Sequence, residues 1–137
     1  MRTLTLLAVT LGLIQASVSF ATAPEISGTV QISPALKDKI KPEAVLYLIA
    51  RQTDSGPPIA VKRITQPFQF PIEFSITARD SMMGGDTLDG KFQLSARISQ
   101  SGSATPANPG DLQTAKPVKN VVAGGKAASI LISEVRR

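Results

Sequence analysis

Cysteine, histidine and tryptophan are absent from this 137-residue chain, and tyrosine occurs once. Without cysteine there is no disulfide framework, no thiolate nucleophile and no N-terminal cysteine to carry a lipid. Without histidine there is no imidazole base and no Ser-His-Asp relay, and the loss of both residue types removes the usual zinc and copper ligand sets. Aromatics make up 4% of the chain and none is interleaved with basic residues, which argues against nucleic-acid binding. The ten acids stand singly in turns and on strand faces, so no carboxylate pair for glycoside chemistry emerges. Serines near Gly102 have only lysine as a candidate base, and neither Lys91 nor Lys116 stands in a Ser-Lys arrangement. The chain is therefore expected to be no enzyme and to carry no cofactor.

Long apolar runs are also lacking, except near the N-terminus. There Arg2 precedes the apolar stretch Leu4 to Ile14, and Ser19-Phe20-Ala21 or Ala21-Thr22-Ala23 supplies small residues for cleavage. This is the pattern of an export signal. A cut after Ala23 would leave Pro24 first, which signal peptidase generally rejects, so residues 1–21 are read as the signal and residues 22–137 as a single domain. The apolar stretch falls short of the roughly 20 residues a membrane helix needs, so no stable span is expected after cleavage; its retention as an anchor is the alternative. The expected location is the periplasm. A chain of this length buries a working core as one domain. Its net charge of +5 comes from scattered basic residues, apart from Lys37, Lys39 and Lys41 and the final Arg136-Arg137, and reads as ordinary solvated surface.

Glycine and proline punctuate the remaining sequence at short intervals, which suits strands and turns better than helices. Ile26, Gly28, Val30 and Ile32 alternate with polar residues as a half-buried strand. Ser33-Pro34 then predicts a helix start, and Pro42 ends a single helical turn. Ala44 to Ala50 is nearly continuous apolar sequence, as in a strand covered on both faces. Ile59 to Ile64 is a shorter strand. Phe68 to Ile76 alternates strictly, with Pro71 placing it at an edge or a bulge. Lys91 to Ser99 alternates again, and Val118 to Val122 and Ala127 to Val135 read as a closing hairpin around Gly124-Gly125. Ser101 to Pro117 is the longest irregular segment, of the kind that is either functional or mobile.

These runs predict an all-β fold, a seven-stranded antiparallel immunoglobulin-like β-sandwich with one short helical turn after the first strand. The absent tryptophan and cysteine pair exclude the antibody-type domain. Two constellations qualify as candidate sites. Met82 and Met83, beside Asp80, offer soft ligands for Cu(I), against the plainer role of covering one end of the sandwich. Asp80, Asp86 and Asp89 lack the spacing of a calcium loop and read as turn residues. Arg97, on the outward face of its strand just before the long loop, faces either Asp111 or a carboxylate on a partner; a loop-stabilising pair is the favoured reading, and Arg97 and Asp111 are the candidate partner-binding residues under the other. The edge formed by Phe68 to Ile76 is a further place where an extended peptide would add, unless Pro71 and Glu73 protect it.

In order along the chain, the segments Gly28 to Leu36, Ala50-Arg51, Pro58 to Val61, Asp80-Ser81-Met82, Ala96 to Ala104 and Gly110-Asp111-Leu112 carry a family likeness. Taken together they resemble the C-terminal Ig-like domain of the cytochrome c biogenesis protein CcmI, also called CycH. The resemblance implies a periplasmic β-sandwich of a Gram-negative bacterium and a protein partner among the cytochrome c maturation components. In that family the domain follows membrane-spanning helices and tetratricopeptide repeats associated with gripping the apocytochrome, where this chain has the signal-like segment. Met82 and Met83 are adjacent here, whereas relatives tend to space them, and the family's domain implies no catalytic residues. A non-enzymatic accessory module is thus the leading expectation, docking by an exposed strand or by the Ser101 to Pro117 loop. A copper-binding protein is the alternative.

Overall fold

The computed structural model describes residues 12, 14, 15, 17, 23–85 and 87–137; most of the expected export signal, and Asp86, lie outside the described residues. The first strand, β1 (Ile26–Ile32), buries Ile26, Gly28, Val30 and Ile32 and turns Gln31 to solvent, as its period of two requires. It is followed by the turn α1 (Pro34–Lys37), which buries Leu36. Proline occupies its first position as expected, but the Ser33 side chain makes no capping bond; the Ser33 carbonyl instead accepts from the Leu36 amide at 2.9 Å.

Seven further strands are long enough or well paired enough to define two sheets with β1: β2 (Val45–Arg51), β3 (Ala60–Ile64), β4 (Ile72–Ile76), β5 (Phe92–Ser99), β6 (Leu112–Gln113), β7 (Val118–Val121) and β8 (Ala128–Ile132), with β9 (Glu134–Val135) ending the chain. A three-stranded sheet has the order β4-β1-β8, and the other sheet runs β3-β2-β5-β6-β9, with β7 also paired to β5. Inward residues of both sheets form one core, in which Val30, Leu46, Ile76, Phe92, Ile98 and Ile130 are all essentially inaccessible. The fold is the expected all-β sandwich. Among the described residues no helix is long and apolar enough to cross a membrane.

Three details of the expected sandwich are corrected. Among the described residues nine strands are present against the seven expected: Leu112–Gln113 forms a short rung inside the supposedly irregular segment, and the final run divides at Ser133 into β8 and β9. That division has a local cause, since the Ser133 amide donates to the Gln113 carbonyl at 3.1 Å and carries the chain from one sheet to the other. Second, β7 and β8 are no hairpin. β7 pairs with β5 while β8 pairs with β1, in parallel, so the sandwich is not wholly antiparallel. The Gly124-Gly125 turn crosses between sheets, which lets Val121 and Ile130 enter the core from opposite sides. Third, the Phe68 to Ile76 strand is shorter than its alternation, because Pro71 has no amide to donate and pairing begins at Ile72. It does lie at a sheet edge, and Phe68 and Phe70 pack at the margin of the core, their rings 6.1 Å apart.

The parallel pairing of β1 with β8 depends on a missing side chain. Gly28 lies opposite Ala128, and a Cβ at position 28 would overlap the Ala128 carbonyl. Gly28→Ala is therefore expected to lower the unfolding free energy by about 1–3 kcal/mol, the usual range for overpacking. Urea denaturation checks this; an unchanged midpoint would mean that the two strands are not so close.

Candidate functional site: the outer face of the larger sheet

The apolar run of β2 has two covered faces, as its composition suggested. Leu46, Leu48 and Ala50 point into the core, while Tyr47 and Ile49 point outward, yet Tyr47 is only 6% exposed. Its cover is the segment after β5. In the ladder Arg97 of β5 lies opposite Tyr47 on one side and Gln113 of β6 on the other. Its guanidinium carbon sits 5.8 Å from the centroid of the Tyr47 ring. Nη1 donates to Asp111 Oδ2 at 2.8 Å, and Nη2 donates to the Ala104 carbonyl. The two candidate partner-binding residues thus meet each other, with Arg97 at 8% and Asp111 at 1% exposure.

Asp111 gathers backbone as well as charge. Oδ1 accepts from the Gln100 amide at 3.0 Å, and Oδ2 accepts from the Asn108 amide at 3.0 Å. The Tyr47 hydroxyl donates to the Gly102 carbonyl at 2.7 Å, and the Ser99 hydroxyl donates to the Ser103 carbonyl at 2.7 Å. Gln100 reaches the other way, its Nε2 donating to the Lys39 carbonyl at 2.8 Å and its Oε1 accepting from the Lys41 amide at 3.0 Å. The turn itself needs glycine: Gly102 has φ 86°, a left-handed conformation, and a Cβ there would lie 3.0 Å from the Glu43 carbonyl. The long segment is therefore a folded flap, clasped to the sheet by one ion pair and a set of main-chain bonds.

Burial pushes the Asp111 carboxyl up, but the Asn108 and Gln100 amides and the Arg97 guanidinium more than offset this, and its pKa lies below the ordinary 3.8. A carboxyl depressed in the native state stabilises the fold fully above its unfolded value, near 3.9, and the contribution is lost as pH falls through the lower native value. Stability is thus expected to hold down to about pH 4 and to decline below it. Asp111→Asn should show a flatter acid limb, measured as urea midpoints across that range, whereas parallel curves would contradict the assignment.

Beside this clasp lies a groove of about 340 Å³. Tyr47, Ile49, Val61 and Met82 form its apolar lining, Ala104 and Ala107 of the flap stand at one side, and Arg51 stands at the rim. A second hollow of about 320 Å³ shares Ile49, Arg51, Arg97 and Ala107 and extends toward Gln113 and Arg136. Met82 is 63% and Met83 75% exposed. The carboxylate adjacent to them in sequence is engaged elsewhere: Asp80 Oδ2 accepts from the Thr77 amide at 2.9 Å, closing the 3₁₀ turn Ala78–Asp80, and lies 3.7 Å from Lys62 Nζ. Sequence reasoning picked out Arg97 and Asp111 but missed Tyr47, Ser99 and Gln100. Only Tyr47 had a signal, as the polar-tipped residue within the β2 apolar run.

The family description "cytochrome c-type biogenesis protein H Ig-like domain" matches residues 26–133, which covers β1 through β8, both halves of the clasp and the groove. The chain belongs to this family. Two relatives give the cytochrome c-type biogenesis protein H Ig-like domain its wider setting. An uncharacterized protein of Aquifex aeolicus is 34% identical over 111 residues, 80% of this chain and 71% of that protein. The cytochrome c-type biogenesis protein CycH of Pseudomonas aeruginosa is 37% identical over 78 residues, 55% of this chain but 19% of that protein. The chain thus corresponds to about a fifth of the Pseudomonas protein's length. No solved structure matches this Ig-like domain.

Proposed function

We propose that this chain is a non-enzymatic, periplasmic protein-binding module that serves as an accessory in cytochrome c maturation. The observation that carries the reading is the family match across the whole sandwich, residues 26–133. The chemistry of the buried polar groups supports it. Arg97 donates to Asp111, Asp111 accepts from the Gln100 amide and Ser99 donates to the Ser103 carbonyl, an arrangement that immobilises a flap. The outer face so formed has recessed apolar lining and a basic rim, the makings of a contact surface.

Purification of the tagged protein from periplasm tests the reading. Cytochrome c maturation components are expected to co-purify, and loss of the gene should lower the haem-stained c-type cytochrome content. Repeated recovery without such components, together with unchanged cytochrome content, would overturn it, as would turnover of a substrate by the pure protein.

A further inference from the structure

We propose that the groove between β2, β3 and the flap docks a short, extended peptide segment of acidic and aliphatic character. The inference rests on the reading of the chain as a protein-binding module and names the kind of segment it would hold. Its floor is Tyr47, Ile49 and Val61, and Met82, largely exposed, overhangs it with a flexible thioether that adapts to different aliphatic side chains. Its volume of about 340 Å³ suits a few side chains and not a globular surface. β3 is the outer strand of its sheet; Ser81 bridges its first residue, Ala60, and beyond that bridge its outer edge has no strand partner among the described residues, so an extended chain can lie along Val61 to Ile64.

Charge decides what that chain carries. Arg51 lies at the rim, and Arg63, the ladder partner of Tyr47, is exposed on the same face. The ion pairs among the described residues are Lys62 with Asp80, Arg97 with Asp111 and Lys119 with Asp54, so neither Arg51 nor Arg63 is matched among the described residues. Among the described residues no acid lines this groove, and Glu134 lines the adjoining hollow that shares Arg51. Carboxylates flanking an aliphatic side chain would meet both guanidiniums while the apolar group fills the floor. An anionic lipid surface is the weaker match, because the floor is recessed behind Ala104 and Ala107 and cannot insert into a bilayer.

A labelled peptide of glutamates around a leucine pair, titrated against the whole protein, tests this by NMR and fluorescence anisotropy, with the same peptide carrying lysines as its counterpart. The acidic probe is expected to shift resonances of Tyr47, Ile49, Val61 and Met82, to bind more weakly as salt rises, and to lose about tenfold in affinity in Arg51→Glu. Val61→Asp should abolish binding, and a melting curve like that of the native protein shows that either variant is folded. Equal binding of both probes, shifts confined to another surface, or an affinity unchanged in Arg51→Glu would overturn the proposal. So would the absence of peptide binding alongside capture of phosphatidylglycerol vesicles. Recovery of maturation components without binding of the acidic probe would remove the groove assignment alone, whereas probe binding without those components would remove only their place in cytochrome c maturation.

Discussion

Asp111→Ala is expected to destabilise the protein by about 3–5 kcal/mol, the range seen when one partner of a buried ion pair is removed. The variant leaves the Arg97 guanidinium buried at 8% exposure, with the Ala104 carbonyl as its remaining acceptor among the described residues and the Tyr47 ring beside it. It also strands the Gln100 and Asn108 amides that the carboxylate accepts from. Since small domains are stable by only about 5–15 kcal/mol, this loss would take much of the total. The double replacement Arg97→Met with Asp111→Leu removes both charges and should recover part of the loss, because no uncompensated charge stays buried, while the Gln100 and Asn108 amides and the Ala104 carbonyl still lack their partners. Urea denaturation of the three proteins decides it. An Asp111→Ala effect below about 1 kcal/mol would show that the pair behaves like an exposed salt bridge.

Phe92→Ala is expected to cost a comparable 3–5 kcal/mol or so, from lost transfer energy plus the cavity that remains. Phe92 is 1% exposed at the start of β5 and lies opposite Val121 of β7, where it fills the space between the sheets. Phe68→Ala is the informative comparison, because Phe68 belongs to the same alternating apolar pattern in sequence but only packs against the margin of the core. Its replacement should cost clearly less. Equal destabilisation by the two would mean that the segment before Pro71 contributes to the core as a full strand.

The contrast between those two phenylalanines shows what was legible before the structure. Period-two alternation identified β1, β4 and β5 because one face of each is buried, the continuous apolar run identified β2, and both signals survive any choice of topology. Topology was harder to read where the chain changes sheets. A Gly-Gly turn looks the same whether it joins neighbouring strands or, as at Gly124-Gly125, crosses from β7 to β8. The flap was hidden for a different reason. Its anchors are main-chain groups of Gly102, Ser103, Ala104 and Asn108, which leave no mark in side-chain composition. Arg97 and Asp111 were visible as a charge pair, but their burial follows from the flap and was not. The groove arises from residues of β2, β3 and the loop carrying Met82, brought together only by folding.

Amide hydrogen exchange at Gln100 and Asn108 tests most directly whether the flap is a fixed part of the outer face. Both amides donate to the Asp111 carboxylate, so both are expected to exchange far more slowly than an unstructured loop and to lose that protection in Asp111→Ala, while the β1 amides, lowered only by the global loss of stability, remain the better protected. Exchange of Gln100 and Asn108 at free-peptide rates in the native protein would contradict it.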